Sequence, residues 1–166
     1  MTNPGTLTVT TPSDREIVMT RAFDAPRKLV WEALTTPALL RRWLLGPPGW
    51  TMTTCEMDLR VGGTYRYEWR KDNGTVMGMG GVLREVVAPE RMTAAEKFDQ
   101  SWYPGEALVS QVLTEREGKT TITMTLRYES KEARDMVVKS GATAGMEMGY
   151  ARLAELLAAT PAGSGH

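Results

Sequence analysis

The sequence has few of the residues that carry metal or nucleophilic chemistry. Its 166 residues include one cysteine, Cys55, and one histidine, His166, which is the last residue. A single cysteine excludes an internal disulfide. A lone terminal histidine leaves no base for a Ser-His-Asp or Cys-His site, and too few ligands remain for zinc. These residue types therefore indicate neither a catalytic residue nor a metal site.

The chain also lacks net charge, long apolar runs and phosphate-binding loops. Lys plus Arg and Asp plus Glu both number 20, so no overall field attracts nucleic acid or an anionic membrane. No apolar stretch approaches the ~20 residues of a membrane span. Neither a GxxxxGK nor a GxGxxG motif occurs, and we predict no cofactor. The first residues lack the pattern of a signal peptide, so the cytoplasm is the expected location.

The first part of the chain predicts one strand and two short helices. Residues 1–13 are rich in Thr and Pro and are interpreted as a flexible leader, and residues 16–23 as the first strand. Asp24 is a candidate helix cap, and Pro26 sits early in the helix, where its missing N–H costs nothing. Thr-Pro then ends this helix and starts a second one at 38–43.

After a Gly-Pro-Pro-Gly turn at 46–49 the pattern changes to a period of two, which is typical of half-buried strands. In residues 51–60 this period places Thr53, Cys55, Met57 and Leu59 on one side. The alternation is clearest where Tyr65, Tyr67 and Trp69 are interleaved with charged residues. Four more strands are predicted at about 75–87, 91–98, 106–116 and 119–128.

The chain ends in two helical segments, at about 131–139 and 142–159, followed by a flexible tail at 160–166. This order predicts one α+β domain over residues 14–159, with a curved seven-stranded antiparallel sheet around a long C-terminal helix. A helix of ~18 residues is about 27 Å long and cannot cover seven strands ~4.8 Å apart. Either the sheet curls around the helix or a partner covers the rest of it, and the glycines at 78, 80 and 81 favour curling. A curled sheet leaves an internal cavity beside the helix.

The composition suits a cavity that binds an apolar molecule. Eleven methionines and five tryptophans stand against two phenylalanines, and methionine adapts to irregular apolar sites. Each of these residues alone is more often a core filler, so the hypothesis depends on the group. The candidate ligand-binding residues are Trp43, Trp50, Tyr65, Tyr67, Trp69, Met79, Trp102, Met124, Met146 and Tyr150.

Three glycines recur every fourth residue near the C-terminus, at Gly141, Gly145 and Gly149. At this spacing they share one face of a helix. Two interpretations stay open. The stripe leaves room for a ligand or for a close approach of the sheet, or Gly141 marks a break between the two helical segments and the rest is chance.

Four segments together resemble a known family. They are PRKLVWEALTTPALLRRW (26–43), DLRVGGTYRY (58–67), GVLREVVAPERM (81–92) and the helix from Gly145 to Leu157. Their order resembles the family related to the C-terminal domain of the activator of the ninety-kilodalton heat-shock protein's ATPase, over about residues 15–159.

That family belongs to the START-like, or SRPBCC, superfamily. The resemblance implies the helix-grip fold, in which a sheet grips a long helix around a deep hydrophobic cavity. Some relatives are polyketide cyclases or lipid carriers, and fold alone does not define function. We therefore expect a small hydrophobic molecule as the partner, with no nucleic acid and no membrane span.

Two other functions remain as alternatives. A cyclase- or hydratase-like enzyme would need a buried carboxylate, for which Glu68, Glu85 and Glu96 are candidates. Solvated strand residues paired with arginine are the commoner interpretation of such carboxylates.

The other alternative is a protein-interaction role, with a homodimer or a chaperone as partner. Arg41, Arg42 and Trp43 beside Leu44 and Leu45 would form the contact surface. An ordinary helix end explains the same residues and is preferred.

Overall fold

The computed structural model describes residues 6–45, 48–99, 103 and 105–160. These residues form one antiparallel sheet and four helices. In chain order the elements are β1 (Thr8–Thr10), β2 (Glu16–Phe23), α1 (Arg27–Thr35), α2 (Pro37–Trp43), β3 (Trp50–Met57), β4 (Thr64–Lys71), β5 (Val76–Val87), β6 (Arg91–Phe98), β7 (Ala107–Arg116), β8 (Lys119–Arg127), α3 (Lys131–Lys139) and α4 (Ala142–Ala158).

The sheet has the strand order β1-β2-β8-β7-β6-β5-β4-β3, and every neighbouring pair is antiparallel. The predicted α+β class, with a curved sheet around a C-terminal helix, is confirmed. The strand count is eight within the described residues, where seven were predicted. The added strand, β1, lies inside the segment interpreted as a leader and pairs with β2. Its three residues are all exposed and therefore carry no buried alternation to reveal it.

Two local predictions were wrong. Asp24 does not cap α1, because the N-cap is Pro26 in an extended conformation and no side chain caps the helix. In β3 the predicted alternation breaks at a register shift between Met52 and Thr54. That bulge turns Met52 and Cys55 inward and leaves Thr53 exposed. Within the predicted turn at 46–49, Gly46 and Pro47 lie outside the described residues.

Helix α4 packs its apolar face on α2 and the inner face of the sheet. Tyr150 is completely buried between Phe23, which it meets edge-on at 5.5 Å between ring centroids, and Trp43, on which it stacks at 6.0 Å. The Trp43 indole N–H is itself held by the carbonyl of Ala33 at 2.9 Å. This cluster joins α4 to α2 and to β2. No helix in the described part of the chain is long and apolar enough to cross a membrane.

The three glycines at 141, 145 and 149 have three different environments. Gly141 is the N-cap of α4 and has φ +83°, so it makes the break between α3 and α4. Gly145 has no atom within 4 Å of the place where a Cβ would stand. At Gly149 a Cβ would lie 3.7 Å from the Trp43 carbonyl oxygen, which is ordinary contact. Neither of the two helical glycines is therefore required by a close approach of the sheet.

Candidate functional site

A cavity of about 240 Å³ lies between the inner face of the sheet and the helices. Its lining comes from alternate residues of β2, β4, β5, β6, β7 and β8, together with the end of α2 and the start of α4. Ala142 at the start of α4 lines the cavity and is also exposed, which indicates an opening there. The inward positions are mostly aliphatic, methionine or aromatic, so the interior is largely apolar.

One wall of the cavity is the aromatic face of β4. Tyr65, Tyr67 and Trp69 are all buried, and consecutive rings are 5.2 and 6.0 Å apart between centroids. The Trp69 indole N–H donates to the carbonyl of Leu44 at 2.8 Å, which ties this wall to the end of α2. The predicted alternation of this strand is confirmed, because a strand with one face against a core exposes every second residue.

Glu96 is the one charged residue among the described lining residues. It lies on β6, where Met92, Ala94, Glu96 and Phe98 all face the cavity at a spacing of two. The Tyr65 hydroxyl donates a 2.7 Å hydrogen bond to Glu96 Oε2. A carboxylate that faces an apolar interior needs such a donor, because burial without a partner is costly.

A glycine makes room for this contact. Tyr65 on β4 is opposite Gly81 on β5, and Gly81 is opposite Glu96 on β6. A Cβ at Gly81 would lie 2.5 Å from the Cζ and Oη atoms of Tyr65. The tyrosine ring therefore crosses the middle strand through the space that a side chain would fill.

The environment shifts the ionisation of these groups. Burial raises the pKa of Glu96 to about 7, while the hydrogen bond from Tyr65 acts in the opposite direction. Burial also raises the pKa of Tyr65 and Tyr67 well above the usual range, and the nearby Glu96 adds to both shifts. The tyrosines are thus neutral hydroxyl groups at physiological pH, whereas Glu96 changes its charge near neutrality.

A second polar group lies further along the cavity. Gln111 on β7 lines it, and the buried Oε1 atom of Gln111 has no hydrogen-bond partner among the described residues. Gln111 is opposite Met92, four residues along β6 from Glu96. At ~3.3 Å per residue the two polar groups are about 13 Å apart along the strand.

The structure places seven of the ten candidate binding residues on the cavity and two elsewhere, and one lies outside the described residues. The seven are Trp43, Tyr65, Tyr67, Trp69, Met79, Met124 and Met146. Trp50 is half-buried beside the Lys71 ammonium, and Tyr150 lies in the core cluster rather than on the cavity. Trp102 lies outside the described residues.

Some of the lining residues were not predicted from the sequence. Ala94, Gln111, Tyr103 and Tyr128 line the cavity and were not among the candidates. The spacing of two in residues 91–98 was a usable signal for Ala94 and Glu96. No sequence signal marks Gln111. Its place on the cavity is apparent only once the pairing of β7 with β6 and β8 is known.

Two of the three candidate carboxylates are surface ion pairs. Glu68 contacts the Arg66 guanidinium at 2.8 Å, and Glu85 contacts Arg91 at 3.0 Å. Exposed pairs of this kind contribute little stability. Glu96 alone reaches the interior. Within the described ranges, no three His, Cys, Asp or Glu side chains are grouped closely enough to hold a metal ion.

Of the residues considered for a protein contact surface, Trp43 is buried and the two arginines before it are exposed. Trp43 is 2% exposed and packs into the core, so it takes no part in a surface patch. Arg41 and Arg42 are exposed, as expected for the last turn of a surface helix.

Comparison with known proteins agrees with this architecture. A crystal structure of a protein from Rhodobacter sphaeroides is 34% identical with a TM-score of 0.88, and the match covers 93% of this chain and 99% of that one. Protein Ms6760 from Mycobacterium smegmatis is 26% identical with a TM-score of 0.82, and the match covers 94% and 99% of the two chains. Protein CV1439 from Chromobacterium violaceum is 25% identical with a TM-score of 0.76, covering 87% and 98%.

None of the curated proteins matches the chain. Residues 24–158 match the family described as Activator of Hsp90 ATPase homolog 1-like protein, which agrees with the resemblance found in the four sequence segments. Since this match spans most of the domain, the chain belongs to the Activator of Hsp90 ATPase homolog 1-like family, with its START-like helix-grip fold.

Proposed function

We propose that the chain binds a small, mainly hydrophobic or aromatic molecule in the cavity between the sheet and α4. The observation that carries this proposal is the cavity of about 240 Å³ with its apolar lining. Apolar space left empty costs on the order of 24 cal/mol per Å³, or roughly 6 kcal/mol for this volume. Since domains are stable by only ~5–15 kcal/mol, an occupant is strongly favoured.

The aromatic wall gives such a ligand a binding surface. Tyr65, Tyr67 and Trp69 present ring faces and edges, and such rings combine a large apolar area with a polar tip. Met79, Met124 and Met146 line the other sides and adapt to irregular shapes. This combination fits an aromatic ligand of modest size better than a polar metabolite.

Tryptophan fluorescence tests the proposal directly, because Trp43 and Trp69 both line the cavity. We expect saturable changes with some members of a panel of fatty acids, flavonoids and polycyclic aromatics. Native mass spectrometry of protein taken straight from cells gives an independent readout of a bound molecule. Silence across the panel with no co-purifying molecule would contradict the proposal.

A pair of adjacent alanines provides the matched variants. Ala94 faces the cavity, and Ala95, its neighbour on β6, faces the outer side of the sheet. Ala94→Leu fills part of the cavity and should weaken binding at least about tenfold, since the ligand loses space in a close-packed interior. Ala95→Leu adds the same atoms outside and should leave the affinity unchanged.

The position of Glu96 favours one second candidate, a cyclase- or hydratase-like enzyme. A carboxyl group with a pKa of about 7 in an apolar cavity is suited to general acid–base catalysis. Incubating a bound ligand with the protein and measuring its mass would reveal gain or loss of water. In this case Glu96→Gln should abolish the conversion and keep binding; a ligand whose mass and chromatographic retention both stay unchanged would argue against the enzyme.

A further inference from the structure

The described lining of the cavity offers a negative charge and no positive one. Among its described lining residues there is one acid, Glu96, and no lysine, arginine or histidine. A ligand that carries a carboxylate would bring a second negative charge towards Glu96 with no cation to offset it. Like charges in a low-dielectric site disfavour ionisation strongly, so one of the two groups would have to take up a proton.

The hydrogen bonding of Glu96 leaves it able to accept another donor. Tyr65 donates to the Oε2 atom, and a carboxylate has about four lone-pair sites on its two oxygens. Glu96 is half-buried and lines the cavity. Its remaining acceptor capacity is therefore available to a molecule in the cavity.

The neighbouring rings also suit a cation. Tyr67 stands next to Tyr65 on the aromatic wall, at 5.2 Å between centroids, and Trp69 follows at 6.0 Å. The faces of such rings attract ammonium groups, most strongly where water is excluded. An ammonium held by Glu96 would thus have aromatic faces close by.

We propose that the ligand of this cavity is an apolar molecule that bears a protonated amine, with the ammonium donating to Glu96 and the apolar part lying against the aromatic wall of β4. The inference rests on the proposed binding function. Charge-assisted hydrogen bonds are roughly twice as strong as neutral ones. Removing an ammonium from water offsets part of that gain, so we expect a preference of about tenfold over a neutral alcohol of the same shape.

The pH dependence follows from the groups that face Glu96. These are Tyr65 and Tyr67 from β4, Tyr103, and Tyr128, which follows β8. Burial raises the pKa of each of them, to about 12 for Tyr103, so they stay neutral while Glu96 titrates. The residues opposite Glu96 on the flanking strands, Gly81 and Ala107, carry no charge. Amine binding should therefore strengthen as pH rises through about 7, where Glu96 ionises.

Isothermal titration with three matched compounds tests the inference. The compounds are 4-phenylbutylamine, 4-phenylbutan-1-ol and 4-phenylbutyrate, which share one apolar part. At about pH 8.5 we expect the amine to bind about tenfold more tightly than the alcohol, and the carboxylate to bind most weakly. At about pH 5.5 the amine should lose its advantage because Glu96 is protonated.

Two variants identify the group responsible. Glu96→Gln should abolish the preference for the amine and keep the affinity for the alcohol. Glu85→Gln is the matched control, since Glu85 is paired with Arg91 and does not line the cavity, and it should behave as the wild type. Far-ultraviolet circular dichroism of each variant checks that the fold is intact.

The outcomes separate this inference from the function on which it rests. Equal affinities for amine and alcohol, or an amine preference that survives Glu96→Gln, would overturn the inference and leave apolar binding standing. If none of the three compounds binds while a panel ligand does, the amine proposal is likewise overturned. If neither the compounds nor the panel bind, the proposed function fails together with it.

Discussion

The Tyr65 hydroxyl donates a 2.7 Å hydrogen bond to the Glu96 carboxylate, and the two residues lie on strands that are separated by β5. The contact is formed because the intervening residue, Gly81, has no side chain. It links the aromatic wall of the cavity to the one acid of the described lining. Three predictions follow from this arrangement, and a fourth concerns the glycines at the start of α4.

Replacing Tyr65 with phenylalanine should destabilise the fold by about 1–2 kcal/mol, because the half-buried Glu96 loses its donor. The pKa of Glu96 should then rise above about 7, since the lost hydrogen bond lowers it in the wild type. Denaturant unfolding and a carbon-13 NMR titration of the glutamate carboxyls measure the two effects. The control is Tyr150→Phe, whose buried hydroxyl has no partner among the described residues and whose removal should cost little. Equal losses in both variants would contradict the role of the hydrogen bond.

Gly81→Ala should cost roughly 1–3 kcal/mol, because its Cβ would lie 2.5 Å from the Tyr65 ring and force that ring to move. A double-mutant cycle locates the cause. In a Tyr65→Ala background the same substitution meets no ring, so most of the cost should disappear. A cost that stays the same in both backgrounds would assign the effect to the strand itself.

Glu96 should make the free energy of unfolding depend on pH near neutrality. Its pKa is raised from 4.5 to about 7 in the folded protein, so between these values the folded state binds more protons than the unfolded state. The contribution of this group to stability is therefore greatest below about pH 4.5 and is lost as pH rises through about 7. At ~1.4 kcal/mol per pKa unit the loss is on the order of 3 kcal/mol.

Glu96→Gln should flatten this part of the stability curve, as measured by urea unfolding from about pH 4.5 to 8. The carboxylates of Glu68 and Asp99 act in the opposite sense, because hydrogen bonds on the sheet surface lower the pKa of each. Their contribution is lost only as pH falls below about 4.5, so it lies outside this window. A slope between pH 4.5 and 7 that persists in Glu96→Gln would show that another group causes it.

Gly145→Ala should stabilise the protein by about 0.5–1 kcal/mol, because a Cβ there meets nothing within 4 Å and alanine favours the helix. The melting temperature should rise accordingly. Gly141→Ala is the contrasting variant, since its φ of +83° strains any residue with a side chain and should lower stability. A destabilising Gly145→Ala would mean that this part of α4 needs space that the structure does not show.

Much of the architecture was predictable because its signals are local. The alternation of Tyr65, Tyr67 and Trp69 required only that one face of a strand be buried, and the bounds of β5 to β8 followed from turn residues between apolar runs. Predictions failed where a local pattern had a competing solution. Asp24 suited a cap, yet Pro26 took that position, and the bulge after Met52 turned Met52 rather than Thr53 to the inner side that Cys55 occupies.

The residues that line the cavity were harder to predict from the sequence. Tyr150 and Met146 share one apolar face of α4 in any helical projection, but only Met146 reaches the cavity. Tyr150 is held between Phe23 and Trp43, which come from distant parts of the chain. Whether an inward residue fills the core or faces empty space depends on what lies opposite, and one strand or helix does not contain that information.

The sequence by itself determined the alternating strands, the C-terminal helix and the shortage of helix to cover so much sheet, because these depend on spacings of two and 3.6 residues. Only the tertiary structure decided that Glu96, rather than Glu68 or Glu85, enters the cavity and meets Tyr65. Tyr65 and Glu96 are 31 positions apart, and their contact requires the register of three strands and the absence of a side chain at Gly81. Pairing register is a property of the assembled sheet. The sequence alone therefore could not show that Glu96 is the one charged residue of the described lining.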